Sequence, residues 1–522
     1  MLDKIIKIIA VALVCFPIFI STSVGAATIQ ASTCTQADVQ VAITSAGNGD
    51  TISIPAGACT WTTYVVVGSA SSRTKMVKFK GAGTDASVGT RITCNNTTNS
   101  PFSGGNSPCF VLWLDHNLAA FELTGIRFIQ GDSWGNGDEE AAWALILAGH
   151  ADTQASLFRI HHNHFEQKPG NIVNTGRIGG NNSYTSSFES GHPYIWGLID
   201  HNTWHGTSSF QGIDILPNSS FVTTAAKGSS YQNDGHDAWD LWTITDHSGT
   251  WRNVFFEDNT ITADAWGQNQ AFGDFGAGGA VVYRNNILTN NWITSHGYEG
   301  FRAGKWIEMY KNIFVLNDPV GGYSGPSGTR GGTGVFYNNQ FYDATNKGTY
   351  VSGSATRTWS DFFEVQYFRS TYRADGPSPN GATWCISSPA GQDSNNITSG
   401  AAKGWGCADQ IGTRKGSADA SMVYGYKWAQ EPAVAWSNTY GARIADFYDY
   451  DNSPHLEPRR DYIDDGAATC AGHMAETICA TFWDDVNNRK RNYVPYTYPH
   501  PLATGVAQDT QPPSPPQNLR VQ

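Results

Sequence analysis

The chain has 522 residues, with 33 Lys and Arg against 45 Asp and Glu, for a formal net charge of −12. That balance gives no reason to expect nucleic acid as a partner and repels a polyanion at long range, so an anionic substrate would need a local basic patch or a metal. With 40% hydrophobic and 12% aromatic residues, the chain can bury a large core.

Lys4 and Lys7 precede an apolar run from Ile8 to Ile20, and Val24-Gly25-Ala26 supplies the small residues of a cleavage site. Residues 1–26 are therefore expected to be an export signal. The run is short for a membrane span, and no other stretch is apolar enough to cross a bilayer. The mature chain is expected outside the cytoplasm, secreted or at the cell surface, as a monomer. Cys15 leaves with the signal, and eight cysteines remain in four sequence-local pairs: Cys34/Cys59, Cys94/Cys109, Cys385/Cys407 and Cys470/Cys479. An even count in an exported chain reads as disulfides, paired here by proximity, and none of the eight has the CxxC spacing of a zinc site.

Gln36 to Ala46 has the apolar spacing of a short amphipathic helix, through Val39, Ile43 and Ala46, and Gly47 stops it. Alternation from Thr51 to Ile54 and the turn Pro55-Ala56-Gly57 follow. Three loop-like stretches, 131–142, 170–193 and 218–249, are rich in Gly, Asn, Ser and Trp. Ten of the fourteen His lie between His150 and His296, and Trp239, Trp242, Trp266 and Trp292 belong to the same region. Flat indoles on loops suit stacking on sugar rings, and the competing reading is that they fill space between loops and coils.

From Val254 to Ala344 one phrase recurs four times: VFFEDNTI, VVYRNNIL, WIEMYKNIF and GVFYNNQF. Aligned on Asn259, Asn286, Asn312 and Asn339, the copies are 27, 26 and 27 residues apart. Earlier copies centre on Asn163 and Asn202, and a variant has Ile126 at the Asn place. A period in the twenties with strand-like alternation inside each unit is the signature of a solenoid. Phe256, Tyr283 and Met309 would face in. The stacked Asn amides would be buried but satisfied by one another and by turn backbone. A single period argues for one long domain, residues 27–507, in which the helix at Gln36 covers the open first coil.

The capping helix followed by Asn-centred coils resembles the secreted right-handed parallel β-helix proteins of the pectate lyase-like superfamily. The resemblance covers roughly residues 33 to 345. It implies an all-β right-handed parallel β-helix with a short N-terminal cap and inserted loops, acting on or binding an extracellular polysaccharide. Ser295-His296-Gly297 looks like one piece of a polygalacturonase pattern, and Ile199-Asp200-His201 like a fragment of a pectate lyase motif. The companion residues of both patterns are absent.

Counting back from the coil Asn gives outward columns. Asp246 and His247 lie 13 and 12 places before Asn259, Asp274 lies 12 before Asn286, and Glu299 lies 13 before Asn312. In register, three carboxylates would share one stripe, and like charges that close need a cation or protons; calcium takes such oxygen clusters. The alternative is that each caps a turn in solvent. Beside the stripe stand His296, Arg302 and Lys305. β-Elimination on a uronic acid needs its carboxylate neutralised and a base for the neighbouring C–H. Calcium with Arg302 could supply the first, and Lys305 or His296 the second. Lys305 shares strand parity with the inward Ile307 and Met309, so it is either brought into use by a bend at Gly304 or lies on the surface. His236, Asp237 and Asp240 form a second constellation able to supply an acid or base. With Asp274, Asp237 or Asp240 could also serve a glycoside hydrolase. His162 over His201 and His161 over Asp200 form a third, which fits a transition metal or a polar ladder.

After Ala344 the period fades. Residues 346–507 are expected to pack along the exterior and close the C-terminal end, and residues 508–522 look like a Pro-rich linker opening a fibronectin type III domain. The preferred reading is calcium-assisted β-elimination of a polyuronate. Glycoside hydrolysis and a non-catalytic adhesin are the alternatives.

Overall fold

The computed structural model describes residues 26–69, 72–96, 108–132, 142–148, 152–168, 174–179, 193–207, 212–216, 247–266, 272–275, 279–295, 304–318, 327–329, 331–365, 411–418, 426–449 and 456–505. Over these residues the chain is all-β apart from three short helices. Three long sheets of twelve, eleven and ten strands, here A, B and C, take one strand each in turn from successive coils. One coil runs Val254–Glu257 in A, Thr260–Ala263 in B and Gly273–Phe275 in C, before Ala280–Arg284 returns to A. Neighbouring coils pair parallel and in register, as in Phe256 with Tyr283 and Tyr283 with Met309. The result is a parallel β-solenoid.

The repeated phrase produces this shape because its apolar positions alternate. Phe256 and Tyr283 point inward and stack at 4.5 Å with planes 14° apart, and Phe314 and Phe341 stack at 5.0 Å in sheet B. Each such buried ring contributes on the order of 1.5–3 kcal/mol relative to exposure. Between sheets A and B the chain must bend in two residues. The residue before each ladder Asn adopts a left-handed backbone: His162, His201, Asp258, Asn285, Lys311, Asn338 and Ser437 have φ of 52 to 57°. Asn, Asp and His tolerate that region better than bulky residues do.

The Asn ladder closes the corner. The Asn286 Oδ1 accepts from the backbone N–H and the Nδ2 of Asn259, both at 3.0 Å, while its own Nδ2 donates to the Phe256 carbonyl at 2.9 Å. The same pattern links Asn163, Asn202, Asn259, Asn286, Asn312 and Asn339. It then continues to Asn438, whose Oδ1 accepts from Asn339 at 3.0 and 2.9 Å. The period therefore does not stop near residue 344. Ala433–Trp436 adds a further strand to sheet A, and Phe363–Val365 and Phe447–Asp449 extend sheet C.

The N-terminal helix, Gln36–Ser45, is capped by Thr35, whose hydroxyl accepts from the Asp38 N–H. It buries Val39, Ala42 and Ile43 in the core at the first coil. Three of the expected disulfides form, Cys34–Cys59, Cys94–Cys109 and Cys470–Cys479; Cys385 and Cys407 lie outside the described residues. Among the described residues no helix is long and apolar enough to cross a membrane. Residues 1–25 and 506–522, which carry most of the expected signal and the whole of the expected linker, also lie outside them.

The stretch from Cys470 to Ala503 straps the outer face of sheet A. Leu198, Phe255, Val282, Trp306, Val335 and Val434 on that face form a second apolar cluster with Cys479, Trp483 and Tyr493 of the strap. Buried charge fastens it. The Arg284 guanidinium, fully buried, donates to Glu257 at 2.7 and 2.9 Å, to the Tyr310 hydroxyl at 2.9 Å, and to the carbonyls of Tyr496 and Thr497 at 2.7 and 2.8 Å. Glu308 accepts from the Tyr493 hydroxyl at 2.6 Å, the Gly249 N–H at 2.7 Å and the Trp306 indole at 3.0 Å. Burial pushes the Glu308 carboxyl up, and these three donors oppose the shift.

Candidate functional site

With sheet A strapped, most of the expected chemistry falls, by sequence position, on connections that leave sheet C for sheet A. The connection from Ile213–Leu216 to Val254–Glu257 carries His236, Asp237, Trp239, Asp240, Trp242 and Asp246. The connection from Ile293–Ser295 to Trp306–Tyr310 carries His296, Glu299, Arg302 and Lys305. The two leave the same edge of the same sheet, two coils apart in its strand order. Of these residues only Lys305 is described; His236, Asp237, Trp239, Asp240, Trp242, Asp246, His296, Glu299 and Arg302 lie outside the described residues.

Asp274 lies in the middle of strand Gly273–Phe275 of sheet C. Its register partner in the following coil is Thr294, and Glu299 lies outside the described residues. The connections between sheets differ in length from coil to coil, and a count from the Asn carries that difference into the row. In the preceding coil, Ile215 pairs with Phe275, which sets Asp214 in line with Asp274, and Asp214 in turn pairs with Arg177. The row Arg177, Asp214, Asp274, Thr294 thus crosses four coils at a spacing of about 4.8 Å per coil. Arg177 and Asp214 were not singled out from the sequence. The signal was present in the alternations Gly176-Arg177-Ile178 and Ile213-Asp214-Ile215, a single charge between small or apolar neighbours.

Lys305 stands at the foot of this edge, just before strand Trp306–Tyr310, and is 6% exposed. Its N–H donates to the Gly279 carbonyl and its carbonyl accepts from the Thr333 N–H. An exposed surface lysine is therefore ruled out: the inward strand parity continues through Gly304 and buries the side chain. His247 is 2% exposed beside it. The His247 imidazole is pushed down to about 3 by burial, then by the positive charge of Lys305, so it is neutral. Its Nδ1 lies 2.6 Å from the Arg252 carbonyl and so carries the proton.

Trp266 and Trp292 meet edge to face at 5.5 Å, and Trp266 meets Trp359 at 5.6 Å. Trp266 belongs to the interior cluster and Trp292 packs against it, so these two indoles fill space between coils instead of offering an open face to a sugar ring.

The histidine stack lies on another edge, at the turn from sheet A to sheet B. The His162 and His201 rings are parallel within 1° with centroids 5.0 Å apart, and His161 pairs in register with Asp200. Asp200 is held by the Arg159 guanidinium at 2.7 and 2.9 Å. Among the described residues, no group of three or more His, Cys, Asp and Glu is placed to hold a metal ion.

No protein-family model matches the chain, and no curated protein matches it. Among solved structures, an alginate lyase from Paenibacillus sp. str. FPU-7 is similar over 65% of this chain and 97% of its own, at 11% identity and a TM-score of 0.29. A likeness that slight carries no argument about activity, and the functional reading rests on the residues themselves.

Proposed function

We propose that this protein acts on an extracellular polysaccharide at the sheet C edge, and that the reaction is β-elimination of a uronic-acid polymer. What supports this is that the two connections whose sequence carries His236, Asp237, Asp240, His296 and Arg302 leave sheet C two coils apart, next to strands whose register aligns Arg177, Asp214 and Asp274. A uronate bound along that row would present its carboxylate to Arg177 or Arg302. Neutralising it acidifies the adjacent C–H, and His296 takes that proton while the C–O bond to the next sugar breaks. His236, Asp237 or Asp240, on the longer connection, would return a proton to the leaving oxygen. Trp239 and Trp242 would stack on the neighbouring sugars.

Two acidic positions one coil apart, Asp214 and Asp274, are oxygen donors of the kind calcium takes, and Asp246 and Glu299 could complete the set. Bound there, calcium would help neutralise the uronate carboxylate. We take the solenoid to be right-handed, as crossovers between parallel strands nearly always are. The disulfides support an oxidising, extracellular location.

The deciding experiment incubates the mature protein with a polyuronate panel, with and without a chelator, and follows both ultraviolet absorbance and reducing ends. Elimination gives an unsaturated product that absorbs; Asp274→Ala should lower its rate by about tenfold or more and weaken calcium binding measured by calorimetry. Reducing ends without absorbance would replace elimination by glycoside hydrolysis, and binding without either product would leave a non-catalytic adhesin.

A further inference from the structure

The histidine stack on the turn between sheets A and B is organised beyond what the turn requires. A left-handed turn position explains why His162 and His201 are polar, but it does not explain how their rings are held. Glu122 is pulled down to about 2, chiefly by its hydrogen bond with His161, so it is ionised and accepts from His161 Nε2 at 2.9 Å. His161 Nδ1 lies 2.8 Å from His162 Nδ1 and 3.3 Å from the Thr124 hydroxyl; when His161 is neutral its Nδ1 accepts, and the nearer partner, His162 Nδ1, donates. In the next coil Asp200, buried and paired with Arg159, accepts from His201 Nδ1 at 2.9 Å. In the neutral rings the two carboxylate relays select the same tautomer and leave each Nε2 as an acceptor. Among the described residues neither Nε2 has a protein partner. Burial, then the neighbouring His161 and His201, lower the His162 imidazole and favour this neutral form.

Both rings are open to solvent, the His201 side chain at 47%. Stacked in parallel 5.0 Å apart, their lone pairs do not converge on one ion, which argues against a chelated metal. They suit two hydrogen-bond donors separated by one coil, about the length of one sugar in an extended chain. The next turn residue along the edge is Asp258, whose carboxylate accepts from the Tyr498 hydroxyl at 3.1 Å. A carboxylate there repels the carboxylate of a uronate and so favours neutral sugars.

We propose that the His162–His201 strip, with Asp258 continuing it, is a second glycan-binding site, separate from the sheet C edge, that holds the hydroxyls of a neutral polysaccharide strand lying along the solenoid axis. The test compares the wild-type protein with the double variant His162→Asn, His201→Asn by calorimetry, using cellohexaose, mannohexaose and a hexauronate as probes. Asn is the residue that other coils place at this turn, at Asn285 and Asn338, so the variant should keep its fold and melting temperature. The expected result is binding of a neutral hexasaccharide to the wild type and binding about tenfold weaker or worse in the variant. The proposal is overturned if neither neutral hexasaccharide binds the wild type, or if one binds both proteins equally. It is also overturned if only the hexauronate binds and does so equally to both, a result that leaves the sheet C reading standing.

Discussion

Asn285 and Asn286 are adjacent and identical, yet they are held for different reasons. Asn285 has φ of 57° and is partly exposed, so it serves the turn through its backbone. Asn286 is 1% exposed and its amide joins three coils. Asn286→Ala removes the acceptor for the Asn259 N–H and Nδ2 and the donor to the Phe256 carbonyl, leaving buried polar groups without partners. The expected loss is about 2–5 kcal/mol. Asn285→Gly meets the same left-handed turn without strain and should stay within a few tenths of a kcal/mol of wild type. Urea midpoints for the two variants check this; equal losses would show that the ladder carries no special weight. The ladder was legible in the sequence because a fixed spacing marks residues that repeat one environment. Asn438 was missed although Ala435 and Tyr440 flank it as the phrase requires, because 99 residues separate it from Asn339 and no constant period spans that gap.

Sheet A and its strap show what a periodic pattern hides. Glu257 and Arg284 occupy the outer face, where a solenoid strand normally presents solvated side chains, and both are fully or almost fully buried. Burying the pair is tolerable because the guanidinium has five acceptor contacts and the Glu257 carboxylate also accepts from the His500 N–H. Arg284→Met should therefore cost about 3–5 kcal/mol, most of it from the Glu257 charge left buried and unpaired. Adding Glu257→Gln should recover part of that loss. A thermal double-mutant cycle measures the coupling, and a double variant no more stable than Arg284→Met alone would refute this account. Nothing near residue 257 announces the partners, since the strap contacts come from more than 200 positions away. The candidate site is subject to the same difficulty. Register set Asp214 on one side of Asp274 and Thr294 on the other, which a count along the sequence could not give because connections of unequal length intervene.

At the scale of the molecule, the solenoid is a one-dimensional stack whose ends and sides need separate closure. The helix Gln36–Ser45 covers one end, and the strap covers a side. A chain ending at residue 469 would bare Leu198, Phe255, Val282, Trp306, Val335 and Val434 as one apolar face, larger than soluble proteins usually expose. It is expected to aggregate or to bind a hydrophobic dye strongly, as dye fluorescence and size-exclusion chromatography of the two chain lengths would show; a truncated chain that stays soluble and dye-silent would mean the strap is an accessory. The sequence by itself determined the repeating unit, the inward columns, the Asn ladder, the N-terminal cap and the three disulfides seen here. Each depends on contacts between residues near in sequence or at one constant spacing. Only the tertiary structure decided which face is strapped, that Lys305 is buried, that Trp266 belongs to the core with Trp292 packed against it, and which charged positions share a register row on sheet C. Those outcomes depend on connection lengths and on a distant segment folding back over the coils, and no local period encodes either.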